Sequence, residues 1–251
     1  MELLPRAPYE VSYAPNQPVI GFSFEAQDGS HAFATDKKTD FRAKPNGLAY
    51  VPGGCDVYSQ SSSGGEYLKI VCLKGRDWAW KSEVPFSNGI NRVAIDAAFS
   101  LRRSLLSCSN VCTLETENLL MVLESCVASM LGNSDQNKLS SKWMTSDRFR
   151  QVNDYIEAQI DTQLTVSKIA SVFHVSAGFF SREFSKAIGQ SPHQYIVEKR
   201  LHFARQLLME SRQELSSTAY ACGFSSHSHM TELFRTRLGI TPGDLRRNLL
   251  M

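Results

Sequence analysis

The residues that could bind a metal or support catalysis are scarce in the first half of this chain. Residues 1–146 contain a single histidine, His31, and the other five histidines lie further along the chain. A catalytic metal centre in a β-barrel needs two or three histidines and a carboxylate, because imidazole and carboxylate groups suit such metals. We therefore predict no metal site, no cofactor and no enzymatic activity.

The six cysteines are scattered over 251 residues. This usage is typical of thiols that stay reduced and not of a disulfide framework. Cys108 and Cys112 are four residues apart and could share one helix face, a spacing that could hold a metal or respond to oxidants. Two buried free thiols are the alternative that we favour.

The composition is that of an ordinary globular protein, with 42% hydrophobic and 21% charged residues. We find no run of about 18 apolar residues and no signal pattern in the first residues, so we predict a cytoplasmic protein without a membrane span. The net charge is +2, and residues 147–251 carry more basic than acidic side chains. This surplus permits nucleic-acid binding but does not establish it.

The hydrophobic pattern changes along the chain and predicts two domains. Four prolines within residues 1–18 predict an extended arm. Short apolar runs separated by turn residues over 19–98 predict strands, and helical spacing follows up to residue 131. We predict a domain of strands followed by helices over 1–131, a polar linker over 132–147 and a helical domain over 148–251.

The helical domain contains a repeat. Residues 164–192 and 215–242 each contain a short helix, a tight turn, a serine-capped second helix with apolar residues at i and i+4, and a Gly-x-x-Pro stop. Two short helices joined by a tight turn form a helix-turn-helix, whose second helix can enter the DNA major groove. A long helix between the repeats would fix them relative to each other. The residues that we assign to the core are Phe180, Phe184, Leu201, Leu208, Ala219, Phe224 and Phe234.

Three segments of the second half carry a family resemblance: RLHFARQLL from Arg200, TAYACGFSS from Thr218 and FRTRLGITP from Phe234. With these motifs, residues 148–248 resemble the AraC/XylS family of bacterial transcription regulators. The resemblance implies an α+β fold: an N-terminal cupin-like β-barrel with following helices, then an all-α domain of two helix-turn-helix units joined by a long helix. It also implies promoter DNA and RNA polymerase as partners.

The base-contacting positions of that family fall on residues of both units. Arg182 is the best candidate, because a guanidinium can donate two hydrogen bonds to guanine O6 and N7. Glu232 stands where the family often has a basic residue, and its carboxylate could accept a hydrogen bond from cytosine N4. Gly178 also departs from the family, in which a larger residue often occupies that position. The complete set of base-contacting candidates is Ser181, Arg182, His227, Ser228, Thr231 and Glu232.

Lys186, Arg235 and Arg237 are the residues that we expect to contact phosphates, which would supply affinity and not sequence choice. For every one of these DNA-contacting candidates, the alternative is a solvated helix face without a ligand.

The resemblance implies that the N-terminal domain binds a small effector. His31 and Arg42 are the polar candidates for this contact, since an arginine would suit a carboxylate or a sugar. Tyr50, Trp78 and Trp80 are the aromatic candidates, and core packing is the alternative for each of them. No motif identifies the effector.

An apolar stripe on the helix before the linker predicts how a homodimer would form. The stripe consists of Leu119, Leu123, Val127 and Met130, and packing on its own barrel is the alternative. Two other functions stay open: a regulator controlled by a partner protein, and a small-molecule-binding β-barrel protein that does not bind DNA.

Overall fold

The computed structural model of the chain describes residues 1–72, 82–107, 113–132 and 141–248. The chain divides into two compact units, which are Met1–Arg102 with Cys112–Leu139 and Arg103–Val111 with Ser140–Met251. The candidates Trp78, Trp80, Cys108 and Cys112 lie outside the described residues. Half of the predicted linker, residues 133–140, does so as well, and its limits stay a prediction.

The first unit contains two antiparallel sheets. The strands of the first sheet are β1 (Glu2–Leu4), β3 (Val19–Ser23), β6 (Gly47–Val51), β8 (Tyr67–Val71) and β9 (Phe86–Gly89). Those of the second sheet are β2 (Tyr9–Tyr13), β4 (Gln27–Phe33), β5 (Thr39–Ala43) and β7 (Val57–Ser61). The strand orders are β1-β8-β3-β6-β9 and β2-β7-β4-β5.

The expected barrel is not closed. Within the described residues the sheets end at β1 and β9 in one case and at β2 and β5 in the other. A closed barrel requires hydrogen bonding that continues from strand to strand around the whole circle. Here the chain passes to the other sheet at most connections between successive strands, so sequential strands seldom pair. The described residues therefore do not form a closed barrel, so the cupin-like barrel stays a prediction, whereas the mixed α+β organisation is confirmed.

The proline-rich arm is extended but is part of the sheets. Strand β1 pairs with β8, and β2 pairs with β7 along its full length. Pro5, Pro8, Pro15 and Pro18 all lie outside the two strands, where their missing N–H groups cost no ladder hydrogen bond.

Strand β3, at the centre of the first sheet, is buried on both faces. Residues at alternate positions, including Ile20, Phe22 and Leu48, are fully buried. They belong to the face covered by helix α1 (Arg92–Leu106), whose Phe99 ring lies 6.4 Å from that of Phe22. On the opposite face, Val19 packs in a cluster with Val57 of the second sheet.

A buried ion pair anchors α1 to this unit. The Arg102 guanidinium lies 3.2 Å from the Glu66 carboxylate, and the two side chains are 5% and 3% exposed. The same guanidinium lies over the rings of Phe24 and Phe99, at 4.7 and 4.4 Å from their centroids. The backbone N–H of Glu66 donates to the buried Glu25 carboxylate. Removal of one partner would leave an uncompensated buried charge, so the pair enforces this position of the helix.

Helix α2 (Thr113–Gly132) completes the described part of the first unit. The second unit is helical, and Leu106 also packs against its core. Its helices are α3 (Ser146–Ala158), α4 (Val166–Val172), α5 (Ala177–Ile188), α6 (Pro192–Glu210), α7 (Leu215–Ala221), α8 (His227–Leu238) and α9 (Pro242–Asn248). None of the described helices is both long and apolar enough to cross a bilayer.

Candidate nucleic-acid interface

Helix α5 begins and ends at residues that the sequence marks for those roles. The Ser176 hydroxyl accepts a hydrogen bond from the backbone N–H of Phe179 at 3.2 Å, which satisfies one of the free donors of the first turn. Gly189 ends the helix in the left-handed conformation, at a φ of 79°. Phe180 and Phe184 are fully buried, so one side of α5 is fixed against the core.

Helix α8 is built in the same way. The Ser226 hydroxyl accepts from the backbone N–H of His229 at 3.1 Å, and Gly239 ends the helix at a φ of 72°. Met230 and Phe234 are fully buried at the positions that Phe180 and Phe184 occupy in α5.

The two helices therefore share one register. Each has twelve residues between its capping serine and its terminal glycine. The sixth residue after the serine is Arg182 in α5 and Glu232 in α8, and both are exposed. Because the buried positions also coincide, these two side chains project from equivalent points of the two helices.

The tight turns before α5 and α8 have the same hydrogen bonds and different residues. Val175 and Phe224 each donate a backbone hydrogen bond, to Ala170 and Ala219 respectively, at 3.0 Å. His174 occupies the left-handed region in the first turn at a φ of 54°, and Gly223 does so in the second at 76°.

Gly223 is held where a larger residue has no room. A Cβ atom on it would lie 2.2 Å from the backbone oxygen of Ile160 and 2.8 Å from Nε of Arg200. The Arg200 guanidinium donates to the backbone oxygens of Ile160 and Thr162, at 3.2 and 2.7 Å. The turn before α8, helix α6 and the segment between α3 and α4 thus meet at one point, which fixes the second helix pair relative to the first.

Helix α6 connects the two pairs. Ser191 and Gln194 form a capping box at its start, with Pro192 in the first turn. The Tyr195 hydroxyl donates to Oδ1 of Asn153 at 2.5 Å, and Nζ of Lys199 lies 2.5 Å from the Glu157 carboxylate. Both contacts join α6 to α3. The predicted core residues Leu201 and Leu208 are 1% and 2% exposed, and the other five that we predicted are also buried.

The solvent-facing side of α5 carries Arg182 and Lys186. Ser181 lies beside them and is partly buried, and a Cβ atom at Gly178 would meet no neighbouring atom. Nζ of Lys186 lies 3.1 Å from the Glu183 carboxylate. Hydrogen bonds from the Ser141 hydroxyl and from Lys186 hold the pKa of Glu183 below its ordinary value.

The exposed side of α8 has more polar groups. His227, Ser228, Thr231, Glu232, Arg235 and Thr236 line a shallow depression of about 340 Å³. Nε2 of His227 lies 3.3 Å from the Thr231 hydroxyl, and Nδ1 of His229 lies 2.9 Å from the Ser225 hydroxyl. Arg237 is exposed near the end of the helix. All nine predicted DNA-contacting residues therefore lie on α5 or α8 with exposed or partly exposed side chains.

The three predicted effector residues that the structure describes, His31, Arg42 and Tyr50, have different surroundings. His31 stacks on Phe41, with ring centroids 4.9 Å apart, and burial lowers the pKa of His31. Arg42 is exposed on the second sheet, with Nε 3.7 Å from Asp28. Tyr50 is fully buried in the first sheet and donates to the backbone oxygen of Ser82. For Tyr50 the structure favours the alternative of core packing.

The apolar stripe of α2 is largely covered by its own unit. Leu123 and Val127 are fully buried, and Met130 packs near Gly89 of β9. Leu119 is partly buried, whereas Leu114 and Met121 are 66% and 54% exposed. Leu123 and Val127 accordingly fit the alternative that we stated, which is packing on their own domain.

Two contacts of the second unit were not predicted from the sequence. One is the Arg200 anchor, and the other is the 2.6 Å hydrogen bond from the Ser141 hydroxyl to Glu183. The Gly-Phe motif signals a special backbone position at Gly223, but nothing in the sequence shows which side chain meets it.

Comparison with known proteins shows what this helical unit resembles. Residues 169–248 match the family model described as "Helix-turn-helix domain". The probable transcriptional regulator LumQ of Photobacterium leiognathi is 36% identical over 91 residues, which are 36% of this chain and 37% of LumQ. The virulence regulon transcriptional activator VirF of Yersinia enterocolitica is 36% identical over 81 residues, 32% of this chain and 30% of VirF.

Over residues 169–248 the chain is therefore similar to the helix-turn-helix domain of transcription regulators. A solved AraC-type transcriptional regulator of Chromobacterium violaceum is 29% identical, with a TM-score of 0.38, and the match covers 47% of this chain and 96% of that chain. The relatives are named as transcription regulators and not as enzymes. The matches extend over less than half of LumQ and VirF, so they concern the AraC-type domain and not the sheet-containing unit.

Proposed function

We propose that this protein is a member of the AraC/XylS family and a sequence-specific DNA-binding transcription regulator with two helix-turn-helix units. Helices α4 and α5 form one unit, and α7 and α8 form the other. In this proposal α5 and α8 enter successive major-groove segments, which recur one helical turn apart, at about 34 Å.

The observation that carries the proposal is the shared register of α5 and α8. In both helices one side is fully buried, and the opposite side carries polar side chains at equal distances from a capping serine. A helix inserted into the major groove needs this combination of a fixed position and exposed hydrogen-bonding groups. Ser181 and Arg182 are the base-contacting residues proposed for α5. Those proposed for α8 are His227, Ser228, Thr231 and Glu232.

Phosphate contacts would come from the basic residues on the same two helices. Arg235 and Arg237 are exposed in the last turn of α8. Lys186 is 57% exposed, so phosphate could compete with Glu183 for its ammonium group. Such contacts would fix the protein on the duplex and make affinity depend on salt.

We further propose that the first unit controls DNA binding through a small effector and that the protein acts as a homodimer with RNA polymerase as a partner. Support for a sensing role is the α+β organisation, with a separate sheet-containing unit ahead of the AraC-type domain. The exposed Leu114 and Met121 of α2 support a dimer contact beside the predicted stripe. Control by a partner protein is the alternative.

A thermal shift of the full chain with candidate small molecules favours the effector if one of them stabilises the protein.

Selection of random duplex DNA by the purified full chain, at a fixed salt concentration, tests the proposed function. We expect an enriched motif of two segments about one helical turn apart. Arg182→Ala should lower discrimination in one segment only, by roughly 5- to 150-fold, which corresponds to about 1–3 kcal/mol. The matched control is Arg150→Ala, which removes an exposed arginine of α3 and should leave the motif unchanged. Absence of any enriched motif at low salt from both the full chain and residues 148–251, which lack the proposed effector control, would contradict DNA binding. It would favour a ligand-binding protein that does not contact DNA.

A further inference from the structure

The equivalent positions of α5 and α8 carry opposite charges. Arg182 and Glu232 are each the sixth residue after a capping serine, and both are exposed. Within the described residues, neither side chain forms an ion pair or a side-chain hydrogen bond in the structure. Both are therefore available to a ligand that approaches the exposed side of the helix.

The two side chains select different base edges. A guanidinium donates hydrogen bonds only, and guanine offers two adjacent acceptors, O6 and N7, in the major groove. A carboxylate accepts only. The acceptor atoms of guanine and thymine O4 therefore repel the carboxylate. Adenine offers a donor next to the acceptor N7, whereas cytosine offers the N4 amino group as a donor.

The residues around Glu232 make a contact between its carboxylate and cytosine compatible with the negative charge of DNA. Arg235 and Arg237 follow it in the same helix and offset its negative charge against the phosphates. Ser228 lies one turn before Glu232, and its hydroxyl forms hydrogen bonds but carries no charge. The carboxylate is thus a single negative group on a face that is otherwise neutral or basic near the end of the helix.

We infer that the operator contains two related but unequal segments, with guanine opposite Arg182 in one and cytosine at the corresponding position opposite Glu232 in the other. This inference rests on the proposed function and adds the identity of one base in each segment. The two positions are about 10–10.5 base pairs apart, because equivalent points of the units face the same side of the duplex.

Random-duplex selection with the full chain and with two variants at one position tests the inference. Glu232→Arg should change cytosine to guanine in the second segment, so that the two segments become alike at this position. Glu232→Gln should shift the preference towards adenine, because a glutamine amide matches adenine N6 and N7. Competition between duplexes that differ at this base pair should show a change of roughly 5- to 150-fold, and the first segment should stay unchanged.

Glu210→Gln is the matched control, since it neutralises an exposed glutamate at the end of α6. It should preserve the wild-type motif. Unchanged circular dichroism of all variants would show that they are folded, as expected for exposed positions. A two-segment motif whose second segment does not respond to either variant would overturn the inference and leave the proposed function in place. Failure of both the wild-type chain and residues 148–251 to enrich any motif would overturn both.

Discussion

The two helix pairs of the second unit have the same framework and different surfaces. Their capping serines, terminal glycines and buried i, i+4 pairs coincide position by position. Their exposed residues do not, since Arg182 in one pair corresponds to Glu232 in the other. The difference shows that the framework residues determine where each helix lies, whereas the exposed residues are free to determine what it contacts.

The interiors of the two pairs also differ. Phe184 lies among aromatic rings, with centroids 6.1, 5.7 and 5.4 Å from those of Phe149, Phe180 and Tyr195. Phe234 lies in a cluster that is mainly aliphatic, with Leu201 and Leu208 among its members. The same helix position is thus stabilised by different packing in each pair.

The turn glycine of the second pair should have the largest effect on stability. Gly223→Ala adds a Cβ atom 2.2 Å from a backbone oxygen, at a φ that disfavours alanine. We expect the free energy of unfolding to fall by about 3 kcal/mol in urea titrations followed by circular dichroism. The matched control is His174→Ala in the first pair, where a residue with a Cβ atom is already present. Equal effects of the two variants would contradict the packing described at Gly223.

The different packing around Phe184 and Phe234 predicts a difference in stability that is smaller than the effect of Gly223→Ala. Phe184→Leu removes three aromatic contacts, whereas Phe234→Leu keeps an aliphatic environment. We expect Phe184→Leu to lower the free energy of unfolding by about 1–2 kcal/mol more than Phe234→Leu. The same urea titrations measure the difference, and a larger loss for Phe234→Leu would show that the aromatic cluster does not contribute specifically.

The turn of the first pair predicts a small gain. His174 is exposed and occupies a left-handed conformation that costs free energy for any residue other than glycine. We expect His174→Gly to raise the free energy of unfolding by about 0.5 kcal/mol, because the relief of strain exceeds the added freedom of the unfolded chain. A lower midpoint in the urea titration would contradict this explanation.

Acidification should lower the stability of the first helix pair through Glu183 and should not act in this way on the second pair. This is the smallest of the expected effects. The hydrogen bond from Ser141, together with Lys186, lowers the pKa of Glu183, and the equivalent residue in α8 is Leu233. A carboxylate with a lowered pKa stabilises the folded state above its unfolded pKa, and this contribution is lost as pH falls through the folded pKa. We expect Ser141→Ala to raise the pKa of Glu183 and to reduce the acid-dependent loss of stability below about pH 4.3. An unchanged pH profile in thermal unfolding would contradict this role of Ser141.

The framework of the second unit could be predicted from the sequence because its determinants are local. Ser176 and Ser226 cap helices at the predicted positions, and the predicted core residues Phe180 and Phe234 are fully buried. Contacts between distant segments could not be predicted in the same way. Arg200 meets the segment near Ile160 only after the helices have packed.

The sheets of the first unit were harder to predict because the central strand β3 is buried on both faces. An alternating pattern distinguishes a buried face from a solvated one, and it loses this power when both faces are covered. For Tyr50 the sequence left both an effector contact and core packing open, and the structure buries this side chain fully. The pairing of charges in Arg102 and Glu66 likewise depends on tertiary contacts.

Guanine N7 methylation interference on the duplex enriched by the full chain tests the central claim most directly. N7 lies in the major groove, so methylation blocks a helix that occupies the groove at that site. Two helix pairs that both contact DNA predict two clusters of interfering guanines on one side of the duplex, about one helical turn apart. A single cluster would contradict the claim that α5 and α8 both enter the major groove.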